Sequence, residues 1–233
     1  GRAESDVDAQ ASPVYGQWTT HVVPISTTIL AVLGQIELHL TALAPNRTDA
    51  DVALDAAVQE LQAVLGPSVY SIDGRALEQV VGDLLREHTM TIAVAESCTG
   101  GLVAGAITAI AGSSGWFDRG FVTYSNEAKM EMLGVDADTL ARNGAVSETT
   151  AKAMAEGAIR ASRADLAVAV TGIAGPAGGT AAKPVGMVCF AWATRGGLTT
   201  MATHRFDGDR EAVRRLSVIV SLQGLIDRLG AMQ

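Results

Sequence analysis

At 233 residues, with 48% hydrophobic and 18% charged residues and a net charge of −8, the chain has the composition of a globular protein, which excludes a disordered one. The acidity is uneven. Residues 1–78 hold three arginines and no lysine against ten Asp and Glu, whereas residues 79–233 hold fourteen basic against fifteen acidic residues. Such a front segment repels phosphate backbones, so a nucleic-acid partner is not expected. No apolar run approaches the roughly 18–20 residues that span a bilayer, and no leader pattern opens the chain. Cys98 and Cys189 are too few for a disulfide framework, and the four histidines are scattered without metal-ligand spacing. A reducing cytoplasm, no membrane partner and no metal are the expectations. The start on Gly1 reads as a piece processed or excised from something longer.

In chain order, residues 1–16 are polar and irregular and read as a tail or linker. Residues 34–43 (GQIELHLTAL) alternate Ile36, Leu38 and Leu40 with polar neighbours, the period of a half-buried strand. Residues 50–66 carry apolar side chains at helical spacing and stop at Gly66, and residues 68–72 (SVYSI) read as a short strand. Together residues 17–74 make a small α+β unit. In residues 71–90, Leu77, Val80, Val81, Leu84 and Leu85 line one face of a helix that leads into an apolar strand, TIAVAE, at 91–96. Residues 99–112 read as a helix of small residues, 120–125 as a strand, and 126–134 as a helix stopped by Gly134. A helix follows at 147–164 with Ser147 as N-cap, then a buried strand at 165–172 that runs into a glycine-rich loop. Residues 184–206 read as two strands joined at Arg195-Gly196-Gly197, and 210–230 as the closing helix. No internal repeat is visible. Alternating strands and helices predict a layered α/β/α domain over 75–233, its sheet made mixed by the hairpin.

Three segments share one design, in which an apolar strand gives way to a polar or glycine-rich turn. Ligands of open α/β sheets gather at the carboxyl ends of strands, so Ser97, Tyr124 and Thr171 are expected to converge. Ser97 and Thr99 precede Gly100 and Gly101 at a helix start, where free N–H groups can hold an anion or a developing oxyanion. Ser97 is then either a helix cap or a nucleophile. A nucleophile needs a base, and no histidine lies near these turns. Lys129, one of only three lysines, follows Tyr124-Ser125-Asn126 and can lose its proton when desolvated, as arginine cannot. A Ser–Lys pair, relayed by the Tyr124 hydroxyl, is one reading; a solvent-facing lysine is the other. Cys98 is a rival nucleophile or a packing residue. The loop TGIAGPAGG, with Thr171, Gly172 and Gly175, can cradle a phosphate through backbone N–H groups but is neither a P-loop nor a dinucleotide fingerprint. Arg210 either binds a phosphate or carboxylate or lies on the surface of an ordinary helix start.

AESCTGG, VTYSNEAK with LGV close behind, GAVSE, and AVAVTGIAGPAGG through KPVG occur in order over about residues 75–230 and resemble the CinA family, specifically its C-terminal nicotinamide-nucleotide amidase domain. Residues 17–74 resemble the small KH-type domain that joins this module to a molybdopterin-binding-like domain, which is absent here. No basic Gly-x-x-Gly loop accompanies the likeness, so RNA binding is not implied. The resemblance implies hydrolysis of nicotinamide mononucleotide, a small-molecule nucleotide, to nicotinic acid mononucleotide and ammonia without metal or other cofactor, in a homo-oligomer, with a dimer favoured. It implies Ser97 as nucleophile, Lys129 as base and Tyr124 as assisting hydroxyl. Thr99, Gly100, Gly101, Asn126, Thr171, Gly172, Gly175 and Arg210 line the substrate site in this reading. Two positions depart from the family pattern: Ala177 stands where an Asp is common, and Arg119 where a Gly precedes Gly120. The alternative is a catalytically silent nucleotide-binding or regulatory module of a competence-related protein.

Overall fold

The computed structural model describes residues 3–32 and 35–232. The chain divides into two compact units, Gly1–Gly74 and Arg75–Gln233. Among the described residues no helix is long and apolar enough to cross a membrane.

In the first unit, helix α1 (Glu4–Tyr15) precedes strands β1 (Ile25–Val32) and β2 (Gln35–Ala42), which pair antiparallel, and helix α2 (Arg47–Leu65). The expected tail is thus mostly helix. Val7 and Ala11, one helical turn apart, are buried with Trp18, Ile25, Ala57 and Leu61. Two small anchors in a polar stretch make too narrow an apolar stripe to stand out by composition. The alternation in β2 is as expected, with Ile36, Leu38 and Leu40 turned to the core and Glu37 and His39 exposed; Gly34 lies outside the described residues. β1 was not anticipated from its sequence. Helix α2 ends at Gly66, whose φ of 57° suits glycine. The expected strand at 68–72 does not form: a 3₁₀ turn (Gly66–Ser68) precedes irregular backbone, and Ile72 is 62% exposed.

The second unit is a five-stranded mixed sheet between two helical layers. Helix α3 (Leu77–Glu87) leads to β3 (Ile92–Glu96), then α4 (Leu102–Thr108), β4 (Phe117–Val122), α5 (Asn126–Leu133), α6 (Ala137–Asn143) and α7 (Glu148–Arg160). β5 (Leu166–Gly172), β6 (Met187–Thr194), β7 (Thr200–Arg205) and α8 (Arg210–Gly230) complete it. The sheet order is β4-β3-β5-β6-β7; β3 pairs parallel with both neighbours, and the hairpin strands β6 and β7 run antiparallel. The layered mixed α/β fold read from the pattern is the one observed. The helix expected at 99–112 is shortened to α4, because Gly100 and Gly101 have φ of 60° and 99° and shape a turn ahead of it. The strand expected at 120–125 starts earlier and stops at Val122, leaving Tyr124 in the loop beyond. Ser147 caps α7 through Thr150 N–H, as its position suggested.

Packing explains how the site is brought together. One face of the sheet is paved with Ala93, Ala95, Ala167, Ala169, Ala191 and Ala193, small enough for α7 to lie close on it. On the other face α8 approaches Trp192, whose indole N–H donates to Ser221 O at 3.0 Å. Helix α5 reaches α7 through Gly157, where a Cβ would stand 2.2 Å from Leu133 O. We expect Gly157→Ala to lower the unfolding free energy by about 1–3 kcal/mol, overpacking outweighing a helix-propensity gain of about 1 kcal/mol. Urea denaturation checks it; an equal or higher midpoint would refute the close approach.

Candidate active site

The β3–α4 turn begins with Ser97, whose N–H donates to Val170 O at 2.9 Å on the neighbouring strand, and closes when Gly100 N–H donates to Ser97 O at 3.1 Å. Glu96, the last residue of β3, is buried and supplies the cap of α4. Its carboxylate accepts from Gly101 N–H at 2.9 Å, Val103 N–H at 3.1 Å and Ala104 N–H at 2.8 Å. A buried carboxylate is held here by three charge-assisted bonds at the positive end of a helix. Two expectations change. Ser97 does not cap the helix, and the helix-start amides assigned to an anion are used, Gly101 N–H by Glu96 and Gly100 N–H by the turn.

Lys129 lies on α5, one turn after the Ser125 cap, and is completely buried. Its Nζ donates to Ser97 Oγ at 3.1 Å, to Thr123 O at 2.8 Å, to Tyr124 O at 3.3 Å and to Ser125 O at 3.4 Å. Burial pulls the Lys129 pKa below the ordinary lysine value, while the Glu127 charge opposes the shift. The solvent-facing alternative for this lysine is therefore wrong. Ser97 is itself only 8% exposed. Burial pushes the Cys98 thiol up to about 11, which disfavours the thiolate near neutrality and with it the rival nucleophile.

Tyr124 contributes its backbone to Lys129, but its hydroxyl faces elsewhere. Tyr124 is 63% exposed, and its hydroxyl oxygen accepts from Arg210 Nη2 at 3.2 Å. Arg210 also donates through Nη1 to Gly175 O at 3.0 Å, tying the start of α8 to the glycine-rich loop. The relay from Ser97 to Lys129 through the tyrosine hydroxyl is thus not formed; the two side chains meet directly. Thr171 is buried at the end of β5 and donates to Ala145 O at 2.7 Å, so its hydroxyl proton is engaged in holding the loop before α7. Gly172 is required by packing, since a Cβ would lie 2.7 Å from Val188 Cγ2. Asn126 is exposed at the first position of α5. Thr99 is fully buried.

Three site residues escaped the sequence reading. Glu96 was visible as a lone carboxylate ending an apolar strand. Arg214 lies one helical turn beyond Arg210; it donates through Nε to Cys98 O at 3.1 Å and through Nη2 to Thr99 O at 2.8 Å. Lys183 donates to Asn143 O at 2.5 Å and Val146 O at 2.7 Å, fastening the glycine-rich loop to the segment before α7. Nothing in their spacing marks these two cations, because their acceptors are backbone carbonyls distant in sequence.

Residues 74–229 match the family profile of the CinA C-terminal domain. The chain belongs to the CinA C-terminal domain family. Among its relatives, the nicotinamide-nucleotide amidohydrolase PncC of Escherichia coli K12 is 56% identical over 149 residues, covering 64% of this chain and 90% of that protein. A CinA-like protein of Solibacter usitatus is 40% identical over 230 residues, covering 98% of this chain, which spans 54% of that relative's length. The crystal structure of the competence/damage inducible protein CihA from Agrobacterium tumefaciens superposes with a TM-score of 0.63 at 48% identity, covering 67% of this chain and 98% of that one. The CinA domain therefore coincides with the mixed-sheet unit that carries Ser97 and Lys129.

Proposed function

We propose that the CinA domain of this chain is an amidohydrolase that converts nicotinamide mononucleotide to nicotinic acid mononucleotide and ammonia, with Ser97 as nucleophile and Lys129 as general base. The observation that carries this reading is the 3.1 Å contact between the Ser97 hydroxyl and a fully buried lysine with a lowered pKa. The substrate is taken from the name of the 56%-identical amidohydrolase.

In this mechanism the neutral Lys129 amine takes the Ser97 proton as Oγ attacks the carboxamide carbon. The resulting ammonium returns that proton to the departing nitrogen as the C–N bond breaks, releasing ammonia and leaving an ester on Ser97. Water then adds to the ester with Lys129 again as base, and the carboxylic acid leaves. The carbonyls of Thr123, Tyr124 and Ser125 keep the amine aimed at Ser97 through both half-reactions. The exposed Arg210 guanidinium is suited to the nucleotide phosphate, where a planar fork makes charge-assisted bonds.

The test is ammonia release from nicotinamide mononucleotide by the parent chain and by Cys98→Ala, read in a coupled assay. Release by both, with Cys98→Ala within about threefold of the parent, is the expected result. No release by the parent would refute the substrate, and loss confined to Cys98→Ala would move the nucleophile to the thiol.

A further inference from the structure

The amides first suggested for an oxyanion are committed elsewhere, Gly101 N–H to Glu96 and Gly100 N–H to Ser97 O. An acyl-transfer site still needs donors where negative charge develops. Within the same turn, two residues after Ser97, the Thr99 hydroxyl is wholly buried and has no hydrogen-bond partner among the described residues. Proteins rarely leave a buried hydroxyl unpaired, and those that persist call for an explanation. The backbone around it is gripped from outside by Arg214, which holds the Cys98 and Thr99 carbonyls. In a planar trans peptide the N–H points opposite to the C=O. Anchoring the Cys98 carbonyl on the guanidinium therefore turns the Thr99 N–H away from α8, and that N–H also donates to no described residue.

We propose that Thr99, through its hydroxyl and backbone N–H, is the oxyanion donor of this site, and that Arg214 is the positioning residue that aims it. The inference rests on the amidohydrolase reading for its substrate and for Ser97 as its nucleophile. As Ser97 Oγ bonds to the carboxamide carbon, the carbonyl π electrons move onto oxygen, and Thr99 stabilises that charge. Arg210 and Arg214 of α8 then divide their labour: Arg210 meets the substrate at the exposed mouth, while Arg214 acts through the turn.

Thr99→Val separates this role from a structural one, because it keeps the shape and removes an unpaired hydroxyl. If the hydroxyl is an oxyanion donor, kcat falls about 10–100-fold with KM within threefold, while the urea midpoint stays or rises. Thr99→Ser recovers most of the lost kcat. Arg214→Lys, which keeps the charge and loses the fork, lowers kcat with KM unchanged, whereas Arg210→Lys raises KM. A second readout does not depend on the natural substrate: the rate at which phenylmethanesulfonyl fluoride labels Ser97, followed by mass spectrometry. There Oγ bonds to sulfur, fluoride leaves, the proton passes to Lys129, and a sulfonyl oxygen takes the oxyanion position. At least tenfold slower labelling in Thr99→Val and Arg214→Lys supports the proposal even if the parent releases no ammonia from the mononucleotide, a result that would overturn only the substrate. Labelling and kcat both within threefold of the parent in Thr99→Val would overturn the proposal. A parent chain that the reagent does not label at Ser97 would overturn it together with the nucleophile.

Discussion

With Ser97 replaced by alanine, ammonia release from nicotinamide mononucleotide is expected to fall by roughly 10⁴-fold or more, because the proposed mechanism loses the atom that forms its acyl intermediate. The same change leaves folding almost untouched. An N-cap serine would cost about 1 kcal/mol on conversion to alanine, but here Glu96 caps α4 and the Ser97 backbone keeps its bond to Val170 O. Activity and stability therefore separate at this position. Measuring kcat beside a urea melt reads both, and robust turnover in Ser97→Ala would sink the mechanism.

Lys129 gives the second large effect. Lys129→Met removes the proposed base at similar volume and is expected to lower kcat by about 10²–10⁴-fold. Lys129→Arg fails as well, since a guanidinium cannot give up its proton; an arginine variant with near-parent activity would show that only positive charge is needed. The pH dependence follows from the lowered pKa. In the proposed mechanism the base is the unprotonated amine, so kcat/KM of the parent is expected to rise with pH along a limb centred below the ordinary lysine value of about 10.4, and Lys129→Met to lack that limb. The stability sign is worked out by linkage. Between the folded and unfolded pKa values the unfolded chain holds more protons at this group than the native one, so the contribution of Lys129 to stability increases with pH across that window. Burial of the ammonium is the cost relieved, and the slope disappears in Lys129→Met. An unchanged ascending limb in the variant would assign the titration to another group.

Much of this site is legible in one dimension. The order of strands and helices from residue 75 onward follows hydrophobic period, and Ser147 and Gly134 mark helix ends through local backbone chemistry. Misreadings fall where local signals are weak. Helix α1 is anchored by few apolar residues, and Val69 and Ile72 have strand-forming side chains but find no strand partner. β-propensity needs a neighbour to pair with, and that neighbour is a tertiary fact.

Ser97 illustrates the division best. By itself the sequence determined that a serine follows an apolar strand and precedes two glycines, and that lysine is scarce in this chain; from these a nucleophile and a base could be named. Only the tertiary structure decided which group caps the helix, where the tyrosine hydroxyl points and which helix-start amides are already bonded. Glu96 takes the helix amides, Arg210 takes the Tyr124 hydroxyl, and Arg214 grips the turn from a helix 115 residues further along the chain. The reason is physical: each hydrogen bond is a competition among all donors and acceptors that folding brings within about 3 Å, and sequence spacing reports only the local contestants.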